Sequence, residues 1–184
     1  MNAKATRSFV VRGAQPADIP ALMRLKRLLA ESENSQHAVR ANEAHWLRDG
    51  FGPNPRFCAF VAEYSAAQPG ISAVGNSVVG MATCSSRVVT GWPGPLVLLQ
   101  DLFVEPDYRA LGIATALMAR IAAFAREIGS PIVELTVRSD NNAALNFYRD
   151  AGCMPLPQCL TYVLAGTALE SLADQHVTAL ALAG

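Results

Sequence analysis

Apolar positions along the chain change their period in a fixed order, and each change predicts an element. SFVVRGA (8–14) reads as a short opening strand. Pro16 then starts a helix whose Ile19, Leu22, Leu25, Leu28 and Leu29 fall on one face. A second helical stretch over about 39–49 stops near Gly50 and Gly52. RFCAFVAEY (56–64) and SVVGMATCSSRVV (77–89) read as strands, and the Gly/Ser/Gln-rich segment between them reads as a hairpin loop. PLVLLQDLFV (95–104) is a third long strand, expected to be buried on both faces. Sequence neighbours of this kind pair antiparallel.

The period changes after residue 104. GIATALMARIAAFAREIG (112–129) places Ile113, Leu117, Ile121, Phe124 and Ile128 on one stripe, with Gly129 as the helix stop. PIVELTV (131–137) alternates Val133, Leu135 and Val137 against Glu134 and Thr136 and predicts another strand. Ser139 or Asp140 can cap a further helix over about 141–151, closed by Gly152. Strand, helix and strand in succession predict a right-handed parallel crossover. The expected fold is α/β (α+β): a mixed central sheet with antiparallel N-terminal strands, a splayed parallel pair and helices on both faces. All 184 residues are read as one domain, with a core over about 8–164 and a helical, apolar tail over about 167–184. The tail packs on its own chain or on a partner subunit.

Composition narrows the function. The formal charge is zero and 51% of residues are apolar, which gives no electrostatic footprint for nucleic acid. The N-terminus lacks an apolar run of signal-peptide length, and no stretch reaches the roughly 18 uncharged apolar residues of a membrane span. A cytoplasmic protein with no membrane partner is expected. Arginine far outnumbers lysine, which occurs only at Lys4 and Lys26. That bias suits bidentate capture of phosphate or carboxylate, or reflects genome composition. Cys58, Cys84, Cys153 and Cys159 form no C-x-x-C pair and have no histidine at zinc spacing, so reduced structural thiols and no metal are expected.

DYRALGIATALM (107–118) joins the third long strand to the following helix. Free N–H groups and the positive dipole end converge at such a junction, making a natural phosphate cradle. Gly112 with the small Ala110 and Ala114 lets a diphosphate approach the backbone, and Arg109 adds charge. A tight turn packed with small residues explains a lone R-x-x-G-x-A equally well. Neither a Walker lysine nor a G-x-G-x-x-G is present, which disfavours ATP and dinucleotide folds. The second motif, VRSDNNAALNFYRDAGC (137–153), puts Asn141, Ala144 and Tyr148 at spacings of three and four, on one helix face.

Together these two motifs resemble the GNAT superfamily of N-acetyltransferases. DLFVEPDYRALGIATALM is similar to its acetyl-CoA signature, and V-x-x-x-N-x-x-A-x-x-F-Y-x-x-x-G is similar to its second motif. The resemblance implies acetyl-CoA as co-substrate and direct acetyl transfer to a primary amine of a small molecule or peptide. It implies that the backbone of Arg109, Ala110, Leu111, Gly112, Ile113, Ala114 and Thr115 holds the CoA diphosphate. Leu102, Phe103 and Val104 run beside pantetheine, with the amide of Phe103 or Val104 polarising the thioester carbonyl for roughly 3 kcal/mol. Asn141 and Ala144 border the far arm. Tyr148 is the general acid that protonates the leaving thiolate. A homodimer is the expected assembly.

Within the superfamily the chain is most similar to the diamine acetyltransferase-like branch, which has Glu-Asp where this chain has Gln100-Asp101. Gln100 cannot take a proton at neutral pH, which leaves the general base open. Asp101 is a candidate catalytic carboxylate or a structural hydrogen-bonding group, according to whether a bulge interrupts strand alternation. Glu63 acting through water is a further candidate. His37 and His45 lie where relatives wall the acceptor site, and Trp92 lies in the WPGP turn before the central strand, although packing and surface hydrogen bonds account for all three as well. Loss of the base at residue 100 also motivates an alternative, a CoA-binding sensory protein without acetyl transfer.

Overall fold

Twelve-residue and ten-residue strands at the centre of a five-stranded sheet set the geometry of the molecule. The computed structural model describes residues 7–66, 77–156, 161, 163–171 and 173. Strands β1 (Arg7–Gly13), β2 (Cys58–Ala66), β3 (Ser77–Val88), β4 (Pro95–Val104) and β5 (Val133–Leu135) lie in sequence order across the sheet. The first four pair antiparallel, and β5 joins β4 in parallel through the crossover that the sequence predicts. The loop expected between β2 and β3 lies at residues 67–76, outside the described residues, as does most of the tail.

Helices α1 (Ile19–Ser32) and α2 (Glu43–Phe51) cover one face of the sheet. Leu22 and Leu25 of α1 are fully buried and pack with Trp46, Val61, Met81 and Phe103. Helix α3 (Ile113–Glu127) covers the other face, with Ile113, Leu117 and Ile121 buried along the expected stripe. Each such side chain contributes about 1.5–3 kcal/mol of transfer free energy. Gly80 of β3 lets α3 approach closely, since a Cβ there would lie 3.2 Å from Ile113 and 3.3 Å from Leu117.

Three expected boundaries move. The second helix starts at Glu43 rather than near 39, because Asn42 and His45 form a reciprocal capping box, and residues 36–38 form a separate 3₁₀ turn. Gly50 sits inside that helix, and Gly52 ends it. The strand expected over 131–137 pairs only at Val133–Leu135, because its register with β4 runs from Val97↔Val133 to Leu99↔Leu135 and goes no further. The last helix, α4 (Asn142–Asp150), starts after Asn141, and Asp140 is held in an ion pair by Arg138. Gly129 and Gly152 have φ of 74° and 87°, the left-handed stops expected after α3 and α4.

The chain divides into two compact units, Met1–Asn141 and Asn142–Gly184. The first holds the sheet with α1 to α3. The second contains α4 and, among its described residues, a helical stretch at 166–171. Among the described residues no helix is long and apolar enough to cross a membrane.

Candidate active site

The geometry of the site begins at Gln100. The β3–β4 register steps from Cys84↔Leu99 to Thr83↔Asp101, so Gln100 is an extra residue on β4, and a β-bulge does interrupt the alternation. Pairing with β5 ends at Leu99, immediately before the bulge. The Glu105 amide donates to the Val79 carbonyl at 2.9 Å, which turns the backbone of residue 105 toward β3. Backbone groups alternate sides along an antiparallel strand, so Phe103 and Asp101 also face β3, while Leu102 and Val104 face the side that β5 has left. Below the bulge the phase is opposite, with the Val97 amide donating to Ile132 on the β5 side at 3.2 Å. Of the two amides expected to polarise a thioester carbonyl, Val104 therefore faces the open edge and Phe103 faces β3. Leu102 joins Val104 there.

At the end of this edge the chain turns through Pro106–Tyr108 into α3. Ala110 has φ 59° and Gly112 has φ 82°, two left-handed residues separated only by Leu111. Alternation of this kind turns successive N–H groups into one concavity. The first helical hydrogen bond runs from the Ala116 amide to the Gly112 carbonyl, so the amides of Ile113, Ala114 and Thr115 have no partner within the helix. A Cβ built on Gly112 meets nothing within 4 Å, so this left-handed turn opens onto free space. These features fit a diphosphate. Leu111 is half-exposed beside the turn, whereas Ile113 is buried beneath it.

Arg109 does something the sequence does not predict. Its Nε donates to the Val104 carbonyl at 3.0 Å, and its guanidinium carbon lies 5.7 Å from the centroid of the Phe103 ring. The side chain ties the turn back onto the end of β4, in addition to bringing positive charge.

Asp101 lies on the α1 face, the same face as Phe103. Lys26 Nζ donates to its Oδ1 at 2.5 Å, and Thr83 Oγ1 donates to its Oδ2 at 2.8 Å. The carboxylate is largely buried and each of its oxygens already accepts a hydrogen bond. Neither partner is legible in the sequence, because Lys26 and Thr83 lie far from residue 101 along the chain.

The remaining candidates sit elsewhere. Glu63 accepts from Arg12 Nε at 2.7 Å, and the same guanidinium forks onto both oxygens of Asp18 at 2.7 and 2.9 Å. This arrangement holds the Asp18 carboxyl below the usual range, mainly through the Arg12 hydrogen bond. His45 serves as the capping partner of Asn42. Trp92 is exposed near the β3–β4 turn. Burial pushes the Cys84 thiol up to about 12 and raises that of Cys58, so both are poor nucleophiles at neutral pH. Cys58, Cys84 and Cys153 are free thiols, and Cys159 is outside the described residues.

Asn141 closes the first unit, its amide donating to the Arg138 carbonyl at 3.0 Å. Ala144 and Tyr148 belong to the second, one turn apart on α4, and the Tyr148 ring meets Phe147 edge-on at 5.3 Å. The structure thus sets residues 102–104 and 109–115 in succession along the open end of β4 and the start of α3, with the Asp101 carboxylate on the α1 face.

A strand edge opened by a bulge and followed directly by a helix start with amides unpartnered within the helix suits a diphosphate-bearing co-substrate. Comparison with known proteins names the particular family. The acetyltransferase (GNAT) family model matches residues 21–153, and the chain belongs to that family. It is 36% identical to the thialysine N-epsilon-acetyltransferase of Mus musculus over 168 residues, covering 90% of this chain and 97% of the mouse protein. It is 32% identical over 148 residues to the spermidine/spermine N(1)-acetyltransferase-like protein 1 of Homo sapiens, which covers 80% of this chain but 21% of that protein. The structure of the aminoglycoside N-acetyltransferase AAC(6')-Iy in complex with CoA shares the fold, with a TM-score of 0.65 at 17% identity, covering 88% of this chain and 98% of that one. The chain is an acetyl-CoA-dependent N-acetyltransferase of the diamine acetyltransferase-like branch, and these relatives do not support the sensory alternative.

Proposed function

We propose that the acceptor is the primary amine of a small molecule, of the class to which thialysine belongs, and that it meets acetyl-CoA at the β4 edge. The carrying observation is the coincidence of cleft-facing amides at Leu102 and Val104 with the left-handed turn at Gly112. In this reading the amides of residues 109–115 bind the CoA diphosphate, and the Val104 N–H polarises the thioester carbonyl. The neutral amine nitrogen bonds to the carbonyl carbon, the carbon–sulfur bond breaks, the Tyr148 hydroxyl gives its proton to the leaving thiolate so that CoA departs as a thiol, and the proton shed by the nitrogen returns through solvent to the tyrosine. Asn141 and Ala144 border the far arm of the co-substrate.

Asp101 is poorly placed for proton abstraction, because each oxygen already accepts a hydrogen bond. The enzyme accordingly favours amines that are already partly deprotonated. An amine of pKa near 10.4 is about 0.04% neutral at pH 7, whereas one near 8 is about a tenth neutral. We also infer a cytoplasmic homodimer. The exposed apolar residues Met154, Leu156, Val163, Leu164 and Leu169 of the second unit support a partner surface.

The testing experiment compares acetyl-CoA KM in the wild type, Gly112→Ala and Gly112→Glu. Both variants carry the same backbone strain, but only glutamate sets a carboxylate where phosphates belong. Gly112→Glu is expected to raise KM by at least about tenfold over Gly112→Ala, equivalent to 1.4 kcal/mol. Equal values in the two variants would remove the diphosphate from this turn.

A further inference from the structure

We propose that Lys26 is a specificity-determining residue: by neutralising Asp101 beside the bulge, it turns the enzyme away from polycationic acceptors. The proposal rests on the reading that the amine approaches β4 at the bulge. Asp101 is the first residue after that bulge, and its side chain is 10% exposed, so little water screens its charge. Lys26 projects from α1 and sets its ammonium 2.5 Å from Oδ1. The other two groups of this cluster add no charge. Thr83 is a neutral donor, almost fully buried, and Gln100 is neutral and exposed.

With Lys26 present, the Gln100–Asp101–Lys26–Thr83 cluster sums to zero. Without it, the same cluster carries one uncompensated carboxylate beside the bulge. A cationic centre on the acceptor would then take the position that Lys26 Nζ now fills, because a partly desolvated carboxylate favours a charged donor over water. The Lys26 ammonium is itself a primary ammonium at the end of an alkyl chain. The protein therefore occupies, with its own side chain, the place a second amine would seek.

A purely structural role for the pair, pinning α1 to β4, predicts a different pattern. Removing a pin lowers kcat/KM for every acceptor by a similar factor. Removing a charge changes the ratio between acceptors of different charge.

The experiment measures kcat/KM for spermidine and for hexylamine, a monocation, in the wild type, Lys26→Met, Lys26→Arg and the double variant Lys26→Met/Asp101→Asn. In Lys26→Met the spermidine-to-hexylamine ratio should rise about tenfold, the change that one partly screened charge pair makes in an equilibrium. Lys26→Arg should keep the wild-type ratio, and the double variant should return to it. A Lys26→Met ratio within twofold of wild type, or a Lys26→Arg ratio equal to that of Lys26→Met, overturns the proposal. If Lys26→Met does not fold, Lys26→Gln removes the same charge with a polar side chain. Should the wild type acetylate neither amine, the acceptor reading fails. Calorimetric affinities of the CoA-bound proteins for spermidine then decide the Lys26 claim, which requires about tenfold tighter binding in the variant.

Discussion

Ala110 occupies a left-handed backbone conformation, at φ 59°, that costs an L-residue with a Cβ about 1–2 kcal/mol. Its cost is met by the turn, which needs this conformation to aim the following amides. Ala110→Gly should therefore stabilise the protein by about 0.5–1 kcal/mol, read as a higher midpoint in urea unfolding, without raising acetyl-CoA KM. A lower midpoint would show that the turn is not strained at this residue. A second residue-scale consequence concerns Asp18, which is buried, forked onto Arg12 and further held by the Gln15 amide at 2.7 Å. Its folded pKa lies below the unfolded value of about 3.9. The associated stabilisation is thus fully present above about pH 5 and is lost as pH falls through the lower folded value. Asp18→Asn should cost about 2 kcal/mol at pH 7, moderated by the partial exposure of Arg12, and the wild-type advantage should shrink steadily below pH 4. A difference that stays constant from pH 7 to pH 2 would contradict the ion pair's role.

The approach of α3 to β3 fixes where the helix start meets the end of β4. Gly80→Val would force two γ-methyl groups against Ile113, Leu117 and the Phe103 carbonyl, and should destabilise by about 2 kcal/mol while raising acetyl-CoA KM. Unfolding midpoints and steady-state kinetics on the same preparation check both effects. A stability loss with unchanged KM would mean that the cradle does not depend on helix position. Much of this element was legible in the chain itself. The stripe Ile113, Leu117 and Ile121, the stop at Gly129 and the small residues before the helix are local patterns whose meaning does not depend on partners. The bulge at Gln100 was not legible, because it is a mismatch between two strands and leaves no periodic trace in either one. Its consequence is large: it decides that Leu102 and Val104, rather than Phe103, direct their amides to the open edge. The shortening of β5 escaped for the same reason, since Val137 continues the alternation past the point where pairing ends. Arg109 was found by its motif but not its bond to Val104, which depends on the turn's three-dimensional path.

At the scale of the molecule, the proposed chemistry lies along one short edge of the sheet, where a strand loses its neighbour and a helix begins. Fold class and family followed from two motifs about thirty residues apart, whereas the ion pairs Lys26–Asp101 and Arg12–Glu63 join residues too distant in sequence to signal each other. The homodimer inferred from the exposed apolar residues after α4 predicts a sedimentation mass twice that of the 19.6 kDa chain, and a Met154→Glu/Val163→Glu variant shifted toward monomer. A wild-type mass equal to that of one chain would remove the dimer. Amide hydrogen exchange with and without CoA reads out whether the amides of the β4 edge and the α3 start hold the co-substrate. CoA addition should slow exchange at Leu102, Val104 and residues 110–115, with Phe103 unchanged because its amide already faces β3. Protection absent from those residues, or appearing in the first unit only along β1 and β2, would contradict it.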